Sequence, residues 1–155
     1  MSSKEQEFYN ACKENKLEKV KELSNQIDDI NWGNPNESDW TGLHTSCYEG
    51  NKEIVEYLIS HPKINVNKET NNGYTPLYIA CYHGKEEIVK ILFASGREID
   101  TTKKTIPGND DWNNKTAAEI ARKEGKEQIA KLIYEYAKKP MEIILRLRKE
   151  MSKLF

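Results

Sequence analysis

The chain has 155 residues, enough for one domain with a sizeable core. Hydrophobic residues make up 37% of it and charged residues 32%, yet the net charge is only −1, so charge repulsion gives no reason for disorder. No apolar run approaches the roughly 20 residues of a membrane helix, and MSSKEQEFYN contains no apolar signal-peptide stretch. Three Cys do not form an even disulfide framework, so a reducing, cytoplasmic setting is expected.

The first predicted element is a charged helix pair over residues 8–23, FYNACKENKLEKVKEL. The next begins at Thr41 with TGLHTSCYEGNKEIVEYL, and TPLYIACYHGKEEIVKIL follows 34 residues later from Thr75, identical at 9 of 18 positions. A further copy, TAAEIARKEGKEQIAKLI, begins at Thr116, 41 residues after Thr75. The first pair is a degenerate copy: Ala11 aligns with Ser46, Ala80 and Ala121, and Asn15 replaces Gly50, Gly84 and Gly125. Each copy reads as two short helices. In the third, Thr75 caps the start and Pro76 sits where its missing N–H costs nothing. Gly84 then permits the positive φ of a break. The second helix turns Ile88, Val89, Ile91 and Leu92 to one face.

Between copies, Ile64-Asn65-Val66-Asn67 alternates like a strand and leads to Asn72-Gly73, a hairpin turn signal. About seven extra residues, 103–109, separate Arg97 from Asn114. Repeat proteins place such insertions in loops, and both a binding-side insertion and simple loop drift fit. Pro140 ends the last outer helix. Residues 141–155 then predict another helix, with Ile143, Ile144, Leu147, Met151 and Leu154 on one stripe and Arg146, Arg148, Lys149 and Lys153 supplying charge. Folding back over the open end of the stack is the expected placement. Docking into a partner's groove and lying on an anionic membrane are the alternatives.

A single unit cannot bury its apolar face, so neighbours stack. Val20, Val55 and Val89 share one core position, and Leu23, Leu58, Leu92 and Ile133 share another. Cys12, Cys47 and Cys81 are equivalent as well. Stacked helices lie about 8–10 Å apart, farther than the roughly 7 Å a disulfide tolerates between Cα atoms. These thiols are therefore expected as small packing residues; Arg122 stands in their place in the fourth unit.

The units resemble the ankyrin repeat. That family's T-P-L-H-x-A pattern appears as Thr75-Pro76-Leu77-Tyr78-Ile79-Ala80, and as Thr41-Gly42-Leu43-His44-Thr45-Ser46. The resemblance implies an all-α ankyrin-repeat solenoid of helix–turn–helix units with β-hairpin-like connecting loops and an extra C-terminal helix. The repeat domain would span residues 1–139, in units of about 5–35, 36–69, 70–110 and 111–139, with residues 140–155 as a capping or docking helix. Asp39 stands where the third unit has Gly73, and Gly42 where it has Pro76, which predicts a looser hairpin and helix start in the second unit. The resemblance also implies that His44 braces a helix start and that Asn67 bonds the hairpin backbone.

Nothing in the sequence suggests catalysis. His61 precedes Pro62, His83 is expected exposed, and neither has a partner spaced for a dyad or a metal. No nucleophile elbow or phosphate-binding glycine motif occurs, so no catalytic residue, metal or cofactor is expected. The resemblance instead implies a concave surface of hairpin tips and inner helices that reads a protein partner. Carried over by position, the candidates are Trp40, Tyr48, Glu49, Asn72, Tyr74, Tyr82, His83, Trp112, Lys115 and Lys123. Trp40 is equivalent to Tyr74, and Tyr48 to Tyr82. For these two tyrosines both packing and binding stand open; Trp40 and Trp112 are expected to be partly packed and partly exposed. The expected function is a non-catalytic adaptor, scaffold or inhibitor, acting as a monomer. The alternative is nucleic-acid or anionic-surface binding. Residues 115–155 carry 11 Lys/Arg against 6 Asp/Glu, a net of +5, whereas residues 1–114 carry 13 against 19, a net of −6.

Overall fold

A computed structural model describes residues 2–152. Four times along the chain, a hydroxyl accepts from the backbone N–H three residues on and starts a helix: Ser3 from Gln6, Thr41 from His44, Thr75 from Tyr78 and Thr116 from Glu119. The helices so begun are α1 (Lys4–Lys13), α3 (Gly42–Glu49), α5 (Pro76–Tyr82) and α7 (Ala117–Lys123). Each is left through a positive φ, at Asn15 (60°), Gly50 (74°), Gly84 (66°) and Gly125 (74°). Asn tolerates that conformation better than most residues, so the degenerate first unit turns as the others do. A second helix then runs antiparallel to each: α2 (Leu17–Ser24), α4 (Lys52–Ser60), α6 (Glu86–Ala94) and α8 (Glu127–Lys138).

The pairs stack by translation. Helices α1, α3, α5 and α7 pack in succession as an inner layer, and α2, α4, α6 and α8 as an outer one. This is the all-α solenoid expected. Val20, Val55, Val89, Leu23, Leu58, Leu92 and Ile133 are all buried between the layers. Cys12, Cys47 and Cys81 are buried free thiols, and desolvation raises the pKa of each, to about 12 for Cys12. Arg122, at their position in the last unit, is exposed because no further unit covers it. It lies 5.3 Å from the centre of the Tyr134 ring.

The connectors are tighter than the alternating pattern predicts. The described residues contain a single isolated bridge, between Asn34 and Trp40, and the connectors are otherwise turns. Side-chain amides tie them together. Asn31 donates to the Lys63 carbonyl at 2.8 Å and accepts from Asn65 N–H at 2.7 Å. Asn67 repeats the motif one unit later, donating to Glu98 at 2.8 Å and accepting from Asp100 at 2.9 Å. Asn67 thus has the hairpin-bonding role expected of it.

The start of the second unit is not loose. Gly42 is buried, and a Cβ there would meet Cys12 Sγ at 2.8 Å and Phe8 Cε1 at 3.0 Å. The first unit carries Phe8 where later units carry Leu43 and Leu77, and the larger ring takes the room that Pro76 occupies one unit on. The hairpin before it turns through positive φ at Ser38 (53°) and Asp39 (63°), so Asp39 does take the conformation of Gly73 (78°).

Helix α9 (Pro140–Ser152) does not close the open end of the stack. It packs across the outer layer on α6 and α8, burying Ile143, Ile144 and Leu147. The reason lies in α6, whose Ile91 and Ala94 make its outward side apolar too, so a third layer is needed to cover it. Arg148 donates to the Ala94 carbonyl at 2.8 Å, capping α6 at its negative end. Arg146 pairs with Glu135 at 3.0 Å. Lys153 and Leu154, placed on this helix from the sequence, lie outside the described residues. No helix among the described residues is long and apolar enough to cross a membrane.

Candidate functional site

The starts of the inner helices position the candidate surface. His44 is fully buried beside Thr41. Its Nδ1 accepts from Thr41 N–H at 3.1 Å, so Nε2 carries the proton and donates to the carbonyls of Lys68 at 2.8 Å and Tyr74 at 3.0 Å. Burial lowers its pKa to about 4, so it is neutral at physiological pH. It braces its own helix start, as expected, and also anchors the next hairpin, on which Tyr74 stands.

Tyr78 holds the same position one unit later. Its hydroxyl donates to the Trp112 carbonyl at 2.8 Å, and its ring stacks on Tyr74 with centroids 5.0 Å apart and planes 10° from parallel. Desolvation raises its pKa, with the neighbouring Tyr74 adding to the effect. Thr105 Oγ1 also donates to the Trp112 carbonyl, at 2.9 Å, and Thr105 N–H to the Lys115 carbonyl at 3.0 Å. The extra residues therefore lengthen the last hairpin and place Trp112 over Tyr78. Backbone bonds join successive tips as well: Asn71 N–H to Ser38 at 2.9 Å, and Ile106 N–H to Asn72 at 3.3 Å.

The result is a cleft of about 250 Å³ on the inner-helix side, walled by Trp40, Tyr74, Tyr78, Tyr82, His83 and Trp112, with buried Ile79 also in its lining. Three successive units contribute to it. The aromatic surface continues beyond the cleft. Tyr48 sits edge-on to Trp40 at 5.7 Å and to His83 at 4.5 Å, and His83 is 4.8 Å from Tyr82. Tyr48 and Trp112 are each 41% exposed. Trp40, Tyr74 and Tyr82 are half-buried. His83 is exposed by residue, yet desolvation among its neighbours lowers its pKa, and Lys85 adds to the effect.

Five of the ten sequence candidates meet in this cleft, and Tyr48 borders it. Glu49 lies past Tyr48, in a shallow depression with Lys13 and Glu37. There Glu37 accepts from both Tyr9 Oη and Lys13 Nζ, and these bonds hold its carboxyl below the usual range. Asn72 contributes its backbone carbonyl to the hairpin. Lys115 and Lys123 line a separate depression at the end of the stack with Arg122 and Tyr134. Lys123 is paired there with Asp111 at 3.1 Å. Sequence reasoning missed Tyr78 and Ile79. The available signal was the replacement of the motif His by a longer aromatic residue just before a longer loop.

A family model described as ankyrin repeats, in three copies, matches residues 8–105. The fourth helix pair, α7 and α8, continues the same plan past the matched region. A search of curated proteins finds no match.

Proposed function

The chain belongs to the ankyrin-repeat family, whose members are generally protein–protein interaction modules, and on that premise we propose that it is a non-catalytic binding protein that engages a protein partner on its inner-helix and hairpin face. One observation carries this reading: partly exposed aromatic side chains from three successive units converge on a single face. Trp and Tyr dominate the energetics of protein interfaces, because large rigid rings bury much area at little entropic cost. Exposed apolar area of this kind marks an interaction surface more often than it marks nothing. The buried free thiols suit the reducing cytoplasm proposed as its setting.

The test is affinity capture from the source lysate with wild type and with a Trp40→Ala/Tyr74→Ala/Tyr82→Ala variant, each first checked for an unchanged helical spectrum. The variant is expected to lose the partner that wild type retains. A folded variant that keeps every partner would place the interface elsewhere.

A further inference from the structure

The cleft itself specifies a ligand chemistry, an inference that rests on the interface reading above. Its volume of about 250 Å³ falls below the roughly 300–1,000 Å³ of sites that enclose a drug-sized molecule. It is the size of a single side chain. Trp and Tyr dominate its walls, and their π faces carry partial negative charge. The rings do not lie in one plane. Tyr74 and Tyr78 are parallel, whereas His83 stands 72° from Tyr82.

The surroundings favour positive charge in the occupant. All of the lining belongs to residues 1–114, which carry the net −6. Asp110 acts on Tyr74 from outside the lining, and Glu124 on Tyr78 and His83. Lys85 is the cation that His83 feels, and Lys123 is held by Asp111. No carboxylate lines the cleft. A lysine ammonium, strongly hydrated, would find nothing there to replace its water. A guanidinium is planar, weakly hydrated and stacks on aromatic faces. We propose that the cleft receives the guanidinium of an arginine presented by an exposed basic segment of the partner protein.

The probe is the tripeptide acetyl-Gly-Arg-Gly-amide, titrated into the full ¹⁵N-labelled chain. Matched peptides carry lysine, citrulline or norleucine at the centre. The readout is the set of indole N–H signals. Trp40 and Trp112 line the cleft, and Trp32, which packs on Tyr9 at 6.5 Å, is the internal reference. The arginine peptide is expected to move the Trp40 and Trp112 signals saturably, to leave Trp32 unmoved, and to bind at least about tenfold more tightly than the other three. Tyr82→Leu, which keeps apolar area and removes a π face, should weaken the arginine peptide by about tenfold. Equal binding of the citrulline or norleucine peptide would overturn the proposal, as would unmoved Trp40 and Trp112 signals. If the arginine peptide fails while the triple variant still loses its captured partner, only the guanidinium assignment falls. If both fail, the inner face is not the interface.

Discussion

The second and third units carry the same helix-start motif with different fourth residues, and the two side chains do the same job over different distances. His44 reaches the following hairpin through Nε2, at the Lys68 and Tyr74 carbonyls. Tyr78 reaches the hairpin after it, at the Trp112 carbonyl. The first span closes a 34-residue period and the second a 41-residue one. The motif position is therefore a tether from one unit to the next tip, and its length follows the loop it must hold. The exchange also changes the surface: imidazole disappears into the core, whereas the phenol remains as a wall of the cleft.

Breaking the shorter tether should have the largest effect. His44→Leu leaves the Thr41 N–H and a hairpin carbonyl without partners in a buried setting, and should cost about 4 kcal/mol in urea unfolding followed by Trp fluorescence. Tyr78→His in the third unit should cost far less, since Thr105 still holds the Trp112 carbonyl.

The pH dependence follows from the same tether. His44 titrates near 4 when folded and near about 6.5 when unfolded. Between those values the unfolded chain binds the extra proton, so stability is full above the unfolded value and declines as pH falls towards 4. The loss should reach about 3 kcal/mol. Glu37, Asp100 and His83 also have lowered pKa values and lose stability on acidification. The measurement is therefore the difference between wild type and His44→Leu, whose profile should be flatter between pH 6.5 and 4.5.

A second pairing sharpens the comparison of the two units. Gly42→Pro alone should cost about 2 kcal/mol, because Phe8 and Cys12 occupy the space. Combined with Phe8→Leu, it recreates the Leu43 and Pro76 pair of the next interface, and the combined loss should be smaller than the sum of the two single losses. A double-mutant cycle in urea measures that coupling. The smallest effect should come from Tyr78→Phe, about 1 kcal/mol, with faster amide exchange in the hairpin that carries Trp112.

The repeat was readable because its determinants are local. Thr75 caps a helix three residues away, Asn15 adopts φ +60° by itself, and Val20, Val55 and Val89 recur at fixed spacing. The tips were readable only in part. Trp40, Tyr74 and Tyr82 follow from equivalence between units, but Glu49, Lys115 and Lys123 satisfy the same equivalence and lie outside the cleft. Gly42 looked like a weakness in isolation and is explained only by a ring 34 residues earlier.

Helix starts, breaks, core positions and the stacking plan were thus determined by the sequence alone, since each rests on interactions within a few residues or on strict recurrence. The tertiary structure decided which aromatics share a cleft and where α9 lies. Both depend on residues that meet across 30 or more positions. The convergence of Tyr78 and Trp112 is set by the path of an inserted loop. The place of α9 is set by the outward apolar side of α6, whose need for cover appears only once the two layers have formed.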